Sequence, residues 1–252
     1  MKTTLLALTF VVALTLSASA AQKPATSQHL AGSSAAEKLS APGVPPSLCD
    51  PCLFYGGDLN ISSLNAAGLS DEDTLFIPGS STYASFTLTG VSANVTGILF
   101  NIQADANFDP QTATYDVRTG VIDGNGGTSI ASGSASIAVA ATGRNFIGLN
   151  EYTVAVQLST PLLIGPGEYW FNLTPECTNA TSDGSCSVGR MFVSNTTNRT
   201  NNVNGAAQVP YEMFLNSSFF GFTFANWCDS SLGLNSNQCA GASFGLMGAL
   251  SK

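Results

Sequence analysis

One histidine, His29, serves a chain of 252 residues. A Ser-His-Asp or Cys-His arrangement needs an imidazole fixed by a folded scaffold, and His29 falls in a stretch that reads as a leader. Histidine-dependent nucleophilic catalysis is therefore not expected, and neither are histidine-based zinc, copper or iron sites. Charge is scarce as well: Asp, Glu, Lys and Arg make up 10% of residues, against about 25% in an average soluble domain. Basic charge is scarcest, with 8 Lys and Arg against 16 Asp and Glu and a net charge of -8. Beyond the leader only Arg118, Arg144, Arg190, Arg199 and Lys252 are basic. A phosphate backbone or an anionic lipid surface calls for clustered Lys and Arg, so neither is an expected partner. Long apolar runs are missing too. Phe244 to Leu250 is apolar but far too short to span a bilayer, and the mature chain is expected to be released in soluble form.

Ser, Thr, Asn and Gly stand where the charges are missing. These residues compete for backbone hydrogen bonds inside helices and favour strands and turns. The beginning of the chain has a separate logic. Lys2 gives a positive start, Leu5 to Leu16 an apolar run, and Ala18-Ser19-Ala20 a small-residue cleavage site, so residues 1–20 read as a secretory signal peptide. Residues 21–46, rich in Ala, Ser and Pro, read as a flexible leader. Residues 47–252 read as a single β domain, secreted or periplasmic, with no repeat.

Through that domain the apolar period is two. Ala84, Phe86 and Leu88 alternate with polar neighbours, as do Ile98, Phe100 and Ile102, then Ala113, Tyr115 and Val117, then Tyr152, Val154, Val156 and Leu158. Tyr169, Phe171 and Leu173 follow a Gly165-Pro166-Gly167 turn, and Phe220, Phe222, Phe224 and Ala242, Phe244, Leu246 alternate near the end. Asp123-Gly124-Asn125-Gly126-Gly127 and Thr142-Gly143 read as turns. Ser129 to Ala140, small and polar, reads as an edge strand or one under close backbone packing. Ser194 to Ala207 reads as a long loop, and Pro210 to Leu215 as a short helix candidate. Many short strands between turn signals predict an all-β, antiparallel β-sandwich or jelly roll supported by disulfides.

The stretch Leu162-Leu163-Ile164-Gly165-Pro166-Gly167-Glu168-Tyr169-Trp170-Phe171 resembles the apolar strand, Gly-x-Gly turn and Tyr-Trp strand of a broad group of exported bacterial sandwich proteins, many carrying PEP-CTERM sorting tails. Tyr115 to Gly120, Gly126-Gly127-Thr128 and Ala131-Ser132-Gly133 are similar to the strand, short Gly loop and small-residue strand of the same group. The resemblance covers roughly Cys49 to Leu250 and implies a sandwich fold and export, with no activity attached. The sorting tail is lacking here, which favours a freely secreted product.

Exported cysteines tend to pair. Proximity couples Cys49 with Cys52, Cys177 with Cys186, and Cys228 with Cys239, while sequence leaves other pairings open. A redox role for Cys49-Asp50-Pro51-Cys52 would need a helix N-terminus to activate the thiol, and no βαβ pattern surrounds it. Trp170, Trp227, Tyr55 and Tyr211 are candidate sugar-stacking platforms, set against ordinary packing. Asp71, Asp73, Asp105 and Asp109 could hold calcium, set against turn geometry; no other cofactor is expected. Asp58, Asp105, Asp109, Asp116, Glu151, Glu168 and Glu212 are the acids from which a glycosidase pair could be drawn, though no spacing singles one out. Sequons stand at Asn60, Asn94, Asn172, Asn179, Asn195, Asn198 and Asn216. The expectation is a secreted, non-catalytic protein that binds extracellular carbohydrate or a matrix or cell-surface component. A carboxylate-based polysaccharide hydrolase and a self-associating surface subunit are the alternatives.

Overall fold

The computed structural model describes residues 46–59, 67–74, 77–105, 107–177, 190–196, 206–207, 213–227 and 241–251. The signal peptide, nearly all of the leader, His29, Tyr211, Glu212, Cys186, Cys228, Cys239, Asn60, Asn179 and Asn198 lie outside these residues. Among the described residues there are strands and no helix. In chain order they are β1 (Cys52–Tyr55), β2 (Ala67–Ser70), β3 (Asp73–Thr74), β4 (Ser80–Leu88), β5 (Ser92–Ala104), β6 (Thr112–Thr119), β7 (Thr128–Phe146) and β8 (Leu149–Ile164). Then come β9 (Gly167–Cys177), β10 (Met191–Thr196), β11 (Ala206–Ala207), β12 (Met213–Ser217), β13 (Phe222–Asn226), β14 (Gly241–Ala242) and β15 (Phe244–Ser251).

The chain is all-β, as its alternation predicts. The strands join into one curled sheet with the path β1-β15-β5-β8-β7-β6-β9-β4-β12-β13. Pairing is antiparallel except for β3 against β9. Strand β7 is the link between two wings: Thr128 to Ser136 pair with β6, and Ile137 to Phe146 pair with β8. The curl brings the inner faces of the wings together. Phe54, Ile98, Phe100, Val154 and Phe244 from one wing and Phe86, Val117, Phe171, Leu173 and Leu215 from the other share a single core. Rings touch across the divide, Phe54 to Phe86 at 5.1 Å and Phe171 to Phe244 at 6.4 Å between centroids. Both separations fit favourable edge or offset contacts.

Three local expectations change. Met213 to Leu215 belong to strand β12, not a helix, because their backbone pairs with Thr82 to Ala84 of β4 and Met213 and Leu215 enter the core. Ser194, Asn195 and Thr196 end strand β10 and are buried, so the expected loop does not begin there. Thr142-Gly143 is a bulge inside β7, and the hairpin turn lies further on at Ile147-Gly148 between the paired Phe146 and Leu149. The hairpin tip is strained: Ile147 has φ 54° and Gly148 has φ 81°. A β-branched residue in this left-handed region costs on the order of 1–2 kcal/mol, and Asn-Gly is the favoured pair for such turns. Ile147→Asn should therefore raise the unfolding free energy by about 1 kcal/mol, read from a urea melt; an unchanged midpoint would contradict the strain argument.

Candidate functional site

The outer faces of the two wings carry the remaining chemistry. On β5, Ile98, Phe100 and Ile102 point to the core, so Leu99, Asn101 and Gln103 point outward. On β8, Val154 and Val156 point inward and Glu151, Thr153 and Ala155 outward. Register sets Leu99 opposite Ala155, Asn101 opposite Thr153 and Gln103 opposite Glu151. The outer face thus has an apolar end and a polar end. Leu99 and Ala155 cluster with Cys49, Tyr55 and Met247, with Leu48 and Cys52 packed alongside. Cys49 and Cys52 are joined, with an S–S distance of 2.08 Å, and lead into strand β1. Cys177 is disulfide-bonded as well.

At the polar end, Thr153 Oγ1 donates to Asn101 Oδ1 at 2.7 Å. Asn101 Nδ2 donates to Tyr55 OH at 2.9 Å and to Ser243 Oγ at 2.8 Å, and Ser243 Oγ donates to the Gly57 carbonyl. Tyr55 OH donates to Asp58 Oδ1 at 2.7 Å. The network ends on Arg144, whose Nε donates to Glu151 Oε2 and whose Nη1 lies 3.2 Å from Asp58 Oδ1. Thr142 Oγ1 supplies a second donor to Glu151 Oε2 at 2.8 Å. Burial works against the charge on Arg144, but Glu151 and Asp58 outweigh it and hold the guanidinium above the ordinary arginine range. Burial, together with the carboxylate of Asp58, likewise pushes the Tyr55 phenol up.

Arg144 reaches this position because β7 bulges. Between Ala141, opposite Tyr152, and Asn145, opposite Asn150, three residues of β7 face one of β8. Gly143 takes φ 80°, a backbone state that glycine adopts without steric penalty. Bulges of this kind re-aim a side chain. The Arg144 side chain is 31% exposed and that of Asp58 24%, while Glu151 beneath them is 0% exposed. Glu151 Oε1 is buried with no hydrogen-bond partner.

The outer face of the second wing is closed. Tyr83, Val121, Trp170, Phe214 and Phe224 form a separate apolar cluster, and the Arg118 guanidinium lies 5.1 Å from the Phe224 ring and 5.8 Å from that of Tyr83. Tyr83 OH donates to Asp116 Oδ2 at 2.9 Å, and Arg118 pairs with the same carboxylate. Phe224 joins this outer cluster while Phe222 packs on the main core. A bulge in β13 and φ 42° at Phe224 break the expected alternation.

The aromatic candidates are corrected accordingly. Trp170 is 3% exposed and Tyr55 1%, so neither offers a ring face to a sugar; Trp170 lies outside the main core, as alternation implies, but is covered by its own cluster. Trp227 is half-buried against the core. The calcium candidates do not converge. Asp71 is buried, Asp73 Oδ1 accepts from the Gly79 amide at 3.2 Å, Asp105 Oδ1 accepts from the Asn107 amide at 3.0 Å, and Asp109 Oδ1 accepts from Gln111 Nε2 at 3.1 Å. Asp73, Asp105 and Asp109 thus serve local backbone and side-chain geometry. Among the described residues, no three His, Cys, Asp or Glu side chains gather as a metal would require. Of the sequons, Asn94 is exposed, whereas Asn172 and Asn195 are buried.

Asp71 and Glu72 form a second acidic centre, inside the fold. Asp71 Oδ1 accepts from Thr174 Oγ1 at 2.6 Å, Asn172 Nδ2 at 3.2 Å and the Thr82 amide at 3.3 Å, while Oδ2 is buried and unpartnered. Glu72 accepts from Ser70 Oγ, Arg190 Nε and the Met191 amide. Burial outweighs these donors and pushes both carboxyls above their ordinary range. A raised native pKa means that the folded chain holds the proton more tightly than the unfolded one. Stability from these groups is fully present below about pH 4 and is lost as pH rises through the native pKa. Asp71→Asn should flatten that decline between pH 4 and 8 in thermal melts; an unaltered slope would contradict it.

Asn101, Thr153 and Arg144 were not legible as site residues. Their only signal was the outward parity of the strands and an unexplained Gly143. Asp58 and Glu151, two of the candidate acids, are brought together through Arg144. No helix among the described residues is long and apolar enough to cross a membrane. Comparison with protein-family models returns no match, and neither does comparison with curated protein sequences.

Proposed function

We propose that the chain is an exported, non-catalytic binding protein whose ligand is a neutral extracellular polysaccharide or a matrix component of the same chemistry, held at the Arg144–Asp58 end of the polar face. One observation carries this reading: a guanidinium and a carboxylate, both part-exposed, are fixed by Glu151 of β8 and by the network around Asn101 of β5. A fixed donor beside a fixed acceptor suits vicinal hydroxyls, and little side-chain entropy remains to be lost on binding. A net charge of -8 disfavours polyanionic glycans and nucleic acid. Export rests on the signal-like first twenty residues.

The hydrolase alternative draws on the same pair of acids. It needs one carboxyl free to hand over a proton, and a guanidinium shared by Asp58 and Glu151 works against that. A glycan array read with and without calcium tests the binding reading. Signal on neutral polysaccharides, reduced at least tenfold by Asp58→Ala with the melting temperature retained, is expected. Silence across the array in both conditions would overturn binding, and release of reducing sugar would favour the hydrolase.

A further inference from the structure

We infer that β7 pairs edge to edge with β7 of a second copy of this chain. This goes beyond the ligand reading and does not depend on it. No residue of β7 is buried: all nineteen are exposed or half-buried. Thr128 to Ser136 pair with β6 alone, and Ile137 to Phe146 with β8 alone, apart from one bond from the Ile137 amide to the Gln111 carbonyl. Each half therefore presents a row of backbone donors and acceptors with no strand beside it among the described residues.

Folded proteins blunt such edges with short strands, charge, proline or bulges. The ends of the sheet path follow that rule: β1 has 4 residues and β13 has 5. Strand β7 does not. It contains no proline, and its one charged residue, Arg144, is engaged by Glu151 and Asp58. Its irregularities lie toward the ends, at Ile130 and at Thr142 to Arg144. Between them Ala131 to Ala141 run regularly and hold only Ser, Gly, Ala, Ile and Val.

Charge decides the occupant. A neutral edge has nothing with which to select a charged partner, and pairing with itself sets no like charges opposite each other. The nearby carboxylates are already occupied, Asp116 by Arg118 and Glu176 by Thr112 at 2.6 Å. A two-fold axis between two paired copies of a strand makes the pairing antiparallel by necessity, the arrangement of both existing β7 pairs. We assign the contact to Ser132–Ser136, centred on Ser134 so that Ser132 faces Ser136 of the second copy, away from the hairpin and from Arg144. Five residues bury less than a standard interface, so the dimer should depend on concentration.

Sedimentation of the purified chain tests this. Wild type should pass from monomer to dimer as concentration rises. A copy carrying Ser132→Lys and Ser136→Lys should associate at least tenfold more weakly, as should a copy carrying Glu at both positions. An equal mixture of the two should recover the dimer, because Lys then faces Glu. Melting temperatures confirm that each copy is folded. A wild type that stays monomeric to millimolar concentration would overturn the inference. So would Lys copies that associate as wild type does, or a mixture that fails to recover.

Discussion

Phe244→Ala should cost about 3–5 kcal/mol of stability, among the largest losses open to a single substitution in this chain. Phe244 is fully buried. Its ring centroid lies 5.2 Å from that of Phe54, 5.3 Å from Phe100 and 6.4 Å from Phe171. The first two belong to its own wing and the third to the opposite wing, so the ring fills the space between the curled halves. Removing it takes away transfer free energy and leaves a cavity that paired strands on both sides cannot collapse to fill. Urea unfolding measures the loss. A value under about 1 kcal/mol would mean that the wings do not share one close-packed core.

Arg144→Ala should cost about 2–4 kcal/mol, more than an exposed ion pair, which is worth at most about 1 kcal/mol. The difference comes from Glu151, whose side chain is 0% exposed. Without the guanidinium, that carboxylate keeps only the Thr142 hydroxyl as a partner for Oε2, and a stranded buried charge is expensive. The figure sits below the range for wholly buried pairs because Arg144 is itself 31% exposed. If the stranded charge is the cause, adding Glu151→Gln to Arg144→Ala should recover much of the loss. If the double variant is worse than Arg144→Ala alone, the cost lies in lost packing of the arginine stem instead.

The core was legible because its strands follow a strict period of two with large apolar residues. Ile98, Phe100 and Ile102, Val154 and Val156, and Tyr169, Phe171 and Leu173 all point inward as their alternation requires. Legibility failed where one local signal serves two structures. Gly143 supplies a positive φ equally to a turn or to a bulge, and the register of β8 decides between them. The helix candidate Pro210 to Leu215 contains good helix formers, yet pairing of Met213 to Leu215 with β4 overrides propensity. Ser194 to Thr196 are polar enough to read as loop, but in β10 they are buried. Alternation with Tyr169 and Phe171 sets Trp170 on the opposite face but says nothing of its cover, because Val121, Phe214 and Phe224 arrive from distant parts of the chain. The candidate site was the least legible part. Asp58, Asn101, Arg144, Glu151 and Ser243 lie on separate segments, and only the register brings them together.

The central claim is architectural: one curled sheet, dense where β5 and the Asn150 to Val156 half of β8 are flanked on both sides, carries a long strand paired on one side only. Residue-resolved hydrogen exchange tests it most directly. Amides of β5 and of Asn150 to Val156 in β8 should open only with global unfolding, whereas amides of β7 that face away from β6 or β8 should exchange orders of magnitude faster at dilute, monomeric concentration. Uniform strong protection along β7 in the monomer, or rapid exchange throughout β5 and β8, would contradict the account.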